Sequence, residues 1–122
     1  MARILIVDDS QTEVFQMRKA LEAGGFEVDT AADGAEAIRK AQAERPDLIL
    51  MDIVMPGMDG FRATRQLSKD PGTRAIPIIV ITGKAGESDR VWAMRQGAVD
   101  VLVKPVSPQR LLERAQAALL PG

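Results

Sequence analysis

The stretch ILIVDDS, residues 4–10, decides the fold. Four apolar residues stand in a row and two carboxylates end them. A run that is apolar at every position suits a strand covered on both faces, as in a parallel sheet packed by helices on either side. Two further runs, 48–51 and 78–81, read the same way. Residues 26–30 alternate instead, and 99–103 begin by alternating, so these two strands should be less covered and lie at the sheet's edges.

Helical spacing fills the intervals. Val14, Met17 and Leu21 recur on one face before the stop Gly24-Gly25, and Ala37, Ile38 and Ala41 precede Pro46. Phe61, Thr64 and Leu67 come before Pro71-Gly72. A fourth helix is expected over about 88–96 with Gly97 closing it. The last carries Leu111, Leu112, Ala115 and Leu119 after Ser107-Pro108, a cap residue followed by proline at the first helical position. Strands joined by helical crossovers are parallel, and the crossovers are right-handed. The expected fold is therefore α/β: a doubly wound (βα)₅ flavodoxin-like domain, with the three fully apolar strands central and the order 2-1-3-4-5. One domain over residues 1–122, with no output domain, is expected.

The 122 residues are 46% apolar and 27% charged, with a formal net charge of −1. That balance gives no pull toward nucleic acid or an anionic membrane. No apolar run is long enough for a membrane span, so a cytoplasmic location without membrane insertion is expected. The chain has neither cysteine nor histidine, which excludes disulfides, thiol chemistry, imidazole bases and most zinc sites. Oxygen ligands for a hard cation remain.

In a doubly wound sheet, ligands bind beyond the carboxyl ends of the strands, where the winding reverses. Here that point lies between strands 1 and 3, which end in Asp8-Asp9 and Asp52. Helix capping accounts for one of Asp8 and Asp9, not both, and leaves Asp52 unexplained. Three converging carboxylates repel one another unless a cation neutralises them, and Mg²⁺ suits one or two carboxylates with water and a phosphoryl oxygen. Strand 4 delivers Thr82 and strand 5 delivers Lys104, a hydroxyl and a point cation fit for a phosphoryl group. The set points to phosphoryl transfer with Asp52 as nucleophile.

These residues carry a family resemblance. ILIVDDS at 4–10, LILMDIVMPGMDG at 48–60, IIVITGK at 78–84 and LVKP at 102–105 resemble the receiver domain of two-component response regulators, of the CheY-like superfamily. The resemblance covers the whole chain. It implies that Asp52 is the phosphoacceptor, that Asp8, Asp9, Asp52 and the backbone carbonyl of Val54 hold Mg²⁺, and that Thr82 and Lys104 are the family's hydroxyl and lysine. It further implies a cis Lys104–Pro105 bond. A signalling protein is expected rather than an enzyme, with self-phosphorylation and self-dephosphorylation its only reactions. Its expected partners are a histidine kinase or phosphotransfer domain and a downstream protein on the helix 4–strand 5–helix 5 surface, with the chain a monomer. The stretches 51–70 and 91–98, with the opening residues, are most similar to PilH-like regulators of type IV pilus twitching motility. The competing output is a chemotaxis-type flagellar motor regulator or a phosphate sink.

Four positions mark this sequence apart. Val101 stands where receivers carry a switching aromatic, so activation is expected to move the helix 4–strand 5–helix 5 surface by a smaller displacement. By the resemblance, Val54 and Lys84 stand where phosphoryl lifetime is tuned, and because Val54 cannot orient an attacking water, slow self-dephosphorylation is expected. Trp92 falls on the fourth helix, either packed or offered to a partner. Among other folds with this topology, a flavin binder needs a Ser/Thr/Gly phosphate loop where Asp8-Asp9 stand. A phosphatase of the haloacid-dehalogenase type needs a second Asp where Val54 stands.

Overall fold

A computed structural model gives the fold and describes residues 1–53, 55, 57–83 and 86–120. Strands and helices alternate: β1 (Arg3–Val7), α1 (Gln11–Ala23), β2 (Glu27–Ala31), α2 (Gly34–Glu44), β3 (Leu48–Asp52), α3 (Gly60–Lys69), β4 (Ile78–Thr82), α4 (Glu87–Arg95), β5 (Asp100–Val103) and α5 (Pro108–Leu119). All strand pairs are parallel, in the order β2-β1-β3-β4-β5. The expected topology is the observed one.

Alternation along each central strand divides the core into two layers. Ile4, Ile6, Leu48, Leu50, Ile79 and Ile81 face α1 and α5, meeting Leu21, Leu111 and Ala115. Leu5, Val7, Ile49, Met51 and Ile78 face the other way, toward Ala37 and Ala41 of α2 and Ala63 and Leu67 of α3. Val80 and Val101 pack with Ala93 of α4 and Ala98. A strand covered on both sides has no polar face to spare, which is why these runs carry no alternation.

Four of the five helices begin on side-chain caps, and α4 starts after Gly86 without one. Ser10 Oγ accepts from the Glu13 N–H, Asp33 from Glu36, Asp59 from Arg62 and Ser107 from Arg110. The cap of α1 is therefore Ser10, and neither Asp8 nor Asp9 is used for that purpose. Gly97 closes α4 with φ +113, and a Cβ there would lie 2.1 Å from Ser68 Oγ. Only glycine meets both demands. The edge strands differ by one residue from the expected spans: β2 runs from Glu27 through Ala31, and β5 starts at Asp100 rather than 99.

Candidate functional site

Parallel register sets the site. Val7 pairs with Met51, so the next residues, Asp8 and Asp52, emerge side by side at the carboxyl edge. Thr82 ends β4 and pairs with Val103, and Lys104 follows β5 with its N–H bonded to the Thr82 carbonyl at 2.8 Å. The Lys104–Pro105 bond is cis, as expected. Five residues foreseen from sequence thus meet at one edge of the sheet. Val54 and Lys84 lie outside the described residues.

Asp8, Asp52 and Thr82 are buried, whereas Asp9 is exposed. The carboxylates of Asp8, Asp9 and Asp52 each offer an oxygen within 4.8 Å of the others. Asp8 Oδ1 accepts from the Ser10 N–H at 2.9 Å, but its buried Oδ2 has no hydrogen-bond partner. A buried carboxylate oxygen without a donor is costly. The arrangement suits a hard divalent cation: oxygen donors only, clustered like charges, one buried oxygen without a hydrogen bond and one ligand open to water. The residues present fit the Mg²⁺ that the sequence resemblance implies.

Lys104 joins the carboxylates from the other side. Its Nζ lies 3.2 Å from Asp52 Oδ1 and 3.5 Å from Asp8 Oδ2. A third carboxylate is nearer: Glu13 Oε2, at 2.7 Å. Glu13 was not foreseen from the sequence. An acidic residue in the first turn of a helix reads as a partner for the helix dipole, and only the fold brings it to a lysine 91 positions away.

Burial pushes the Asp8 carboxyl up to about 6; the Ser10 N–H pulls the other way, the Asp52 charge adds to the rise and Lys104 opposes it. Burial also raises Asp52, against the pull of Lys104. Burial alone would depress Lys104, but the bond to Glu13 and the charges of Asp52 and Asp8 outweigh it and hold the ammonium above its ordinary range. The hydrogen bond from Lys104 holds Glu13 below the usual range. The site is thus a charged lysine among carboxylates that are short of positive charge. Space remains beside it, since a Cβ placed on Gly83 would touch nothing within 4 Å.

Gly60 bears on the same place. A Cβ there would come within 2.0 Å of the Asp52 carbonyl oxygen and 2.9 Å of Ile53 Cα. The bare backbone lets the start of α3 press on the segment that carries Asp52, and the Gly60 N–H bonds the Ile53 carbonyl at 3.1 Å.

Elsewhere the described surface carries apolar residues on α4 and β5. Trp92 is half exposed, as are Val91 and Met94, and Val103 is exposed. Val101 is buried, packed in the α4 cluster.

Comparison with known proteins agrees with this geometry. The response regulator receiver domain matches residues 4–116. The chain is 53% identical over 119 residues to protein PilH of Pseudomonas aeruginosa, covering 98% of each. The chemotaxis response regulator CheY4 of Vibrio cholerae is similar in structure, with a TM-score of 0.92 and 37% identity over 98% of this chain and 99% of that one. So is the receiver domain of the sensor histidine kinase PA1611 from Pseudomonas aeruginosa, solved with a magnesium ion coordinated in its active site cleft. Its TM-score is 0.89 at 34% identity, covering 97% of each chain.

Proposed function

The chain belongs to the response regulator receiver-domain family, and on that premise we propose that Asp52 accepts a phosphoryl group from a histidine kinase or phosphotransfer domain and that the charged chain signals by touching another protein. The observation that carries this is the placement of Asp52: buried, beside Asp8, with Lys104 Nζ 3.2 Å away.

In the transfer, an Asp52 carboxylate oxygen supplies the electron pair of the new O–P bond. The bond from phosphorus to the donor's imidazole nitrogen breaks, its pair staying on nitrogen. A carboxylate has no proton to lose, so no general base is required. Lys104 stands where charge accumulates on the phosphoryl oxygens, and the Thr82 hydroxyl lies at the same edge, able to donate a hydrogen bond to one of them. Asp8, Asp9 and Asp52 would hold Mg²⁺, which when bound neutralises the cluster and the phosphoryl oxygens. Self-phosphorylation from small donors and self-dephosphorylation are the only reactions assigned to the chain. Incubation with acetyl phosphate and Mg²⁺, followed by intact-mass measurement, tests the reading. Native protein should gain one phosphoryl group and Asp52→Ala none; an equal gain in the variant overturns it.

The output assigned is the twitching-motility pathway of type IV pili, on the strength of the full-length likeness to PilH. Its surface is that of α4, β5 and α5, where Val91, Trp92 and Met94 stand out of the core. A lone tryptophan among half-exposed apolar residues is an anchor for a protein partner. The likeness to CheY4 supports a second reading, regulation of a flagellar motor. Capture of partners with and without beryllofluoride separates the two: pilus-pathway proteins retained only with beryllofluoride support the first, motor proteins the second. We place the chain in the cytoplasm; among the described residues no helix is long and apolar enough to cross a membrane.

A further inference from the structure

We propose that Glu13 is a positioning residue that competes with the phosphoryl group for Lys104 and so limits how readily Asp52 is charged. The inference rests on the phosphoacceptor reading above.

Lys104 Nζ has three N–H donors and three carboxylates around it. Its shortest contact, 2.7 Å, is to the one carboxylate outside the aspartate cluster. Glu13 comes from the first turn of α1, where the Ser10 cap holds its N–H. Its side chain is 41% exposed, against 1% for Asp8 and 8% for Asp52. Of the three, Glu13 alone can trade the lysine for water at small cost. The aspartates are fixed at strand ends and cannot leave.

In the resting site Glu13 neutralises Lys104, the one positive side chain among the described residues that is paired with Asp52. Once Asp52 bears a phosphoryl group, up to two negative charges and three acceptor oxygens stand near Lys104. Glu13 is then a like charge on the same lysine. Its charge already disfavours the Asp52 carboxylate, and it opposes the phosphorylated form more strongly because that form carries the greater negative charge. Because the pair is partly exposed, the bias is modest and is screened by salt.

Glutamine keeps the shape and removes the charge. With sub-saturating acetyl phosphate and Mg²⁺, Glu13→Gln should raise the steady-state phosphorylated fraction, read by intact mass, about two- to five-fold. The gap should narrow at high ionic strength. Glu13→Ala should show the same rise, while Glu13→Asp, which keeps the charge, should stay near native; melting curves report that each is folded. An unchanged or lower fraction in the Gln and Ala variants overturns the inference, as does a rise indifferent to salt. Asp52→Ala, run beside them, keeps the two questions apart. Equal labelling of that variant and the native chain sinks the acceptor reading, whereas normal labelling with no effect of Glu13 sinks only the competition.

Discussion

Asp8 carries the highest electrostatic cost in the site. Its folded-state pKa is raised above the unfolded value, to about 6, chiefly by burial, so the native state binds its proton more tightly than the unfolded chain does. The associated stability is present at low pH and lost as pH rises from about 4 through about 6. Without divalent cation at neutral pH, Asp8→Asn should therefore be more stable than the native chain, by about 1–3 kcal/mol in urea unfolding; equal or lower stability would contradict this. Asp100 shows the opposite sign. Burial would raise it, but Arg114 grips it with two bonds, at 2.7 and 2.9 Å, and its pKa is lowered. That contribution is present above the unfolded value near 4 and fades as acid protonates the pair, so Asp100→Asn should cost about 1 kcal/mol at pH 7 and little at pH 3. At this scale the sequence was legible where chemistry sat at strand ends: Asp8, Asp9, Asp52, Thr82 and Lys104 all follow apolar runs. Glu13 was not, because its partner is set by the seating of α1 against the end of β5 and not by any local pattern.

The elements meet at the acceptor through backbone as much as through side chains. Gly60 lets α3 begin against the Asp52 carbonyl, and any side chain there must push the helix or the strand end away. Gly60→Ala should cost about 2–4 kcal/mol and slow labelling of Asp52 out of proportion to the loss of stability; a variant that melts and labels like the native chain would refute this role. Val101 fills part of the pocket under α4 and leaves no large side chain to swing. Beryllofluoride with Mg²⁺ should still shift amide resonances along α4, β5 and α5, by repacking about Val101, Ala93 and Ala98; shifts confined to the metal site would count against it. Central strands and helix stops could be read from periodicity and from Gly and Pro. The edge strands slipped by a residue, since β2 and β5 have weaker patterns and their ends are fixed by neighbours, such as the Val99 N–H bonding the Ile78 carbonyl.

The whole molecule reads as a scaffold that brings like charges together and needs a cation to relieve them. Burial placed the three strands apolar throughout at the centre, and the doubly wound arrangement that satisfies this supplied the order. The assignment of a partner did not, since a docking face is specified by the surface it meets. Mg²⁺ held by Asp8, Asp9 and Asp52 would bind only the folded chain, so it should stabilise that chain by about 2.7 kcal/mol when free cation stands a hundredfold above Kd, and Asp8→Asn far less. The central claim, that Asp52 and no other carboxylate takes the phosphoryl group, is tested most directly by trapping. Protein treated with acetyl phosphate and Mg²⁺ is reduced with borohydride, which converts an aspartyl phosphate to homoserine, and the peptides are then mapped. Homoserine at position 52 alone is the predicted result; homoserine at position 8 or 9, or unmodified aspartate throughout, would contradict it.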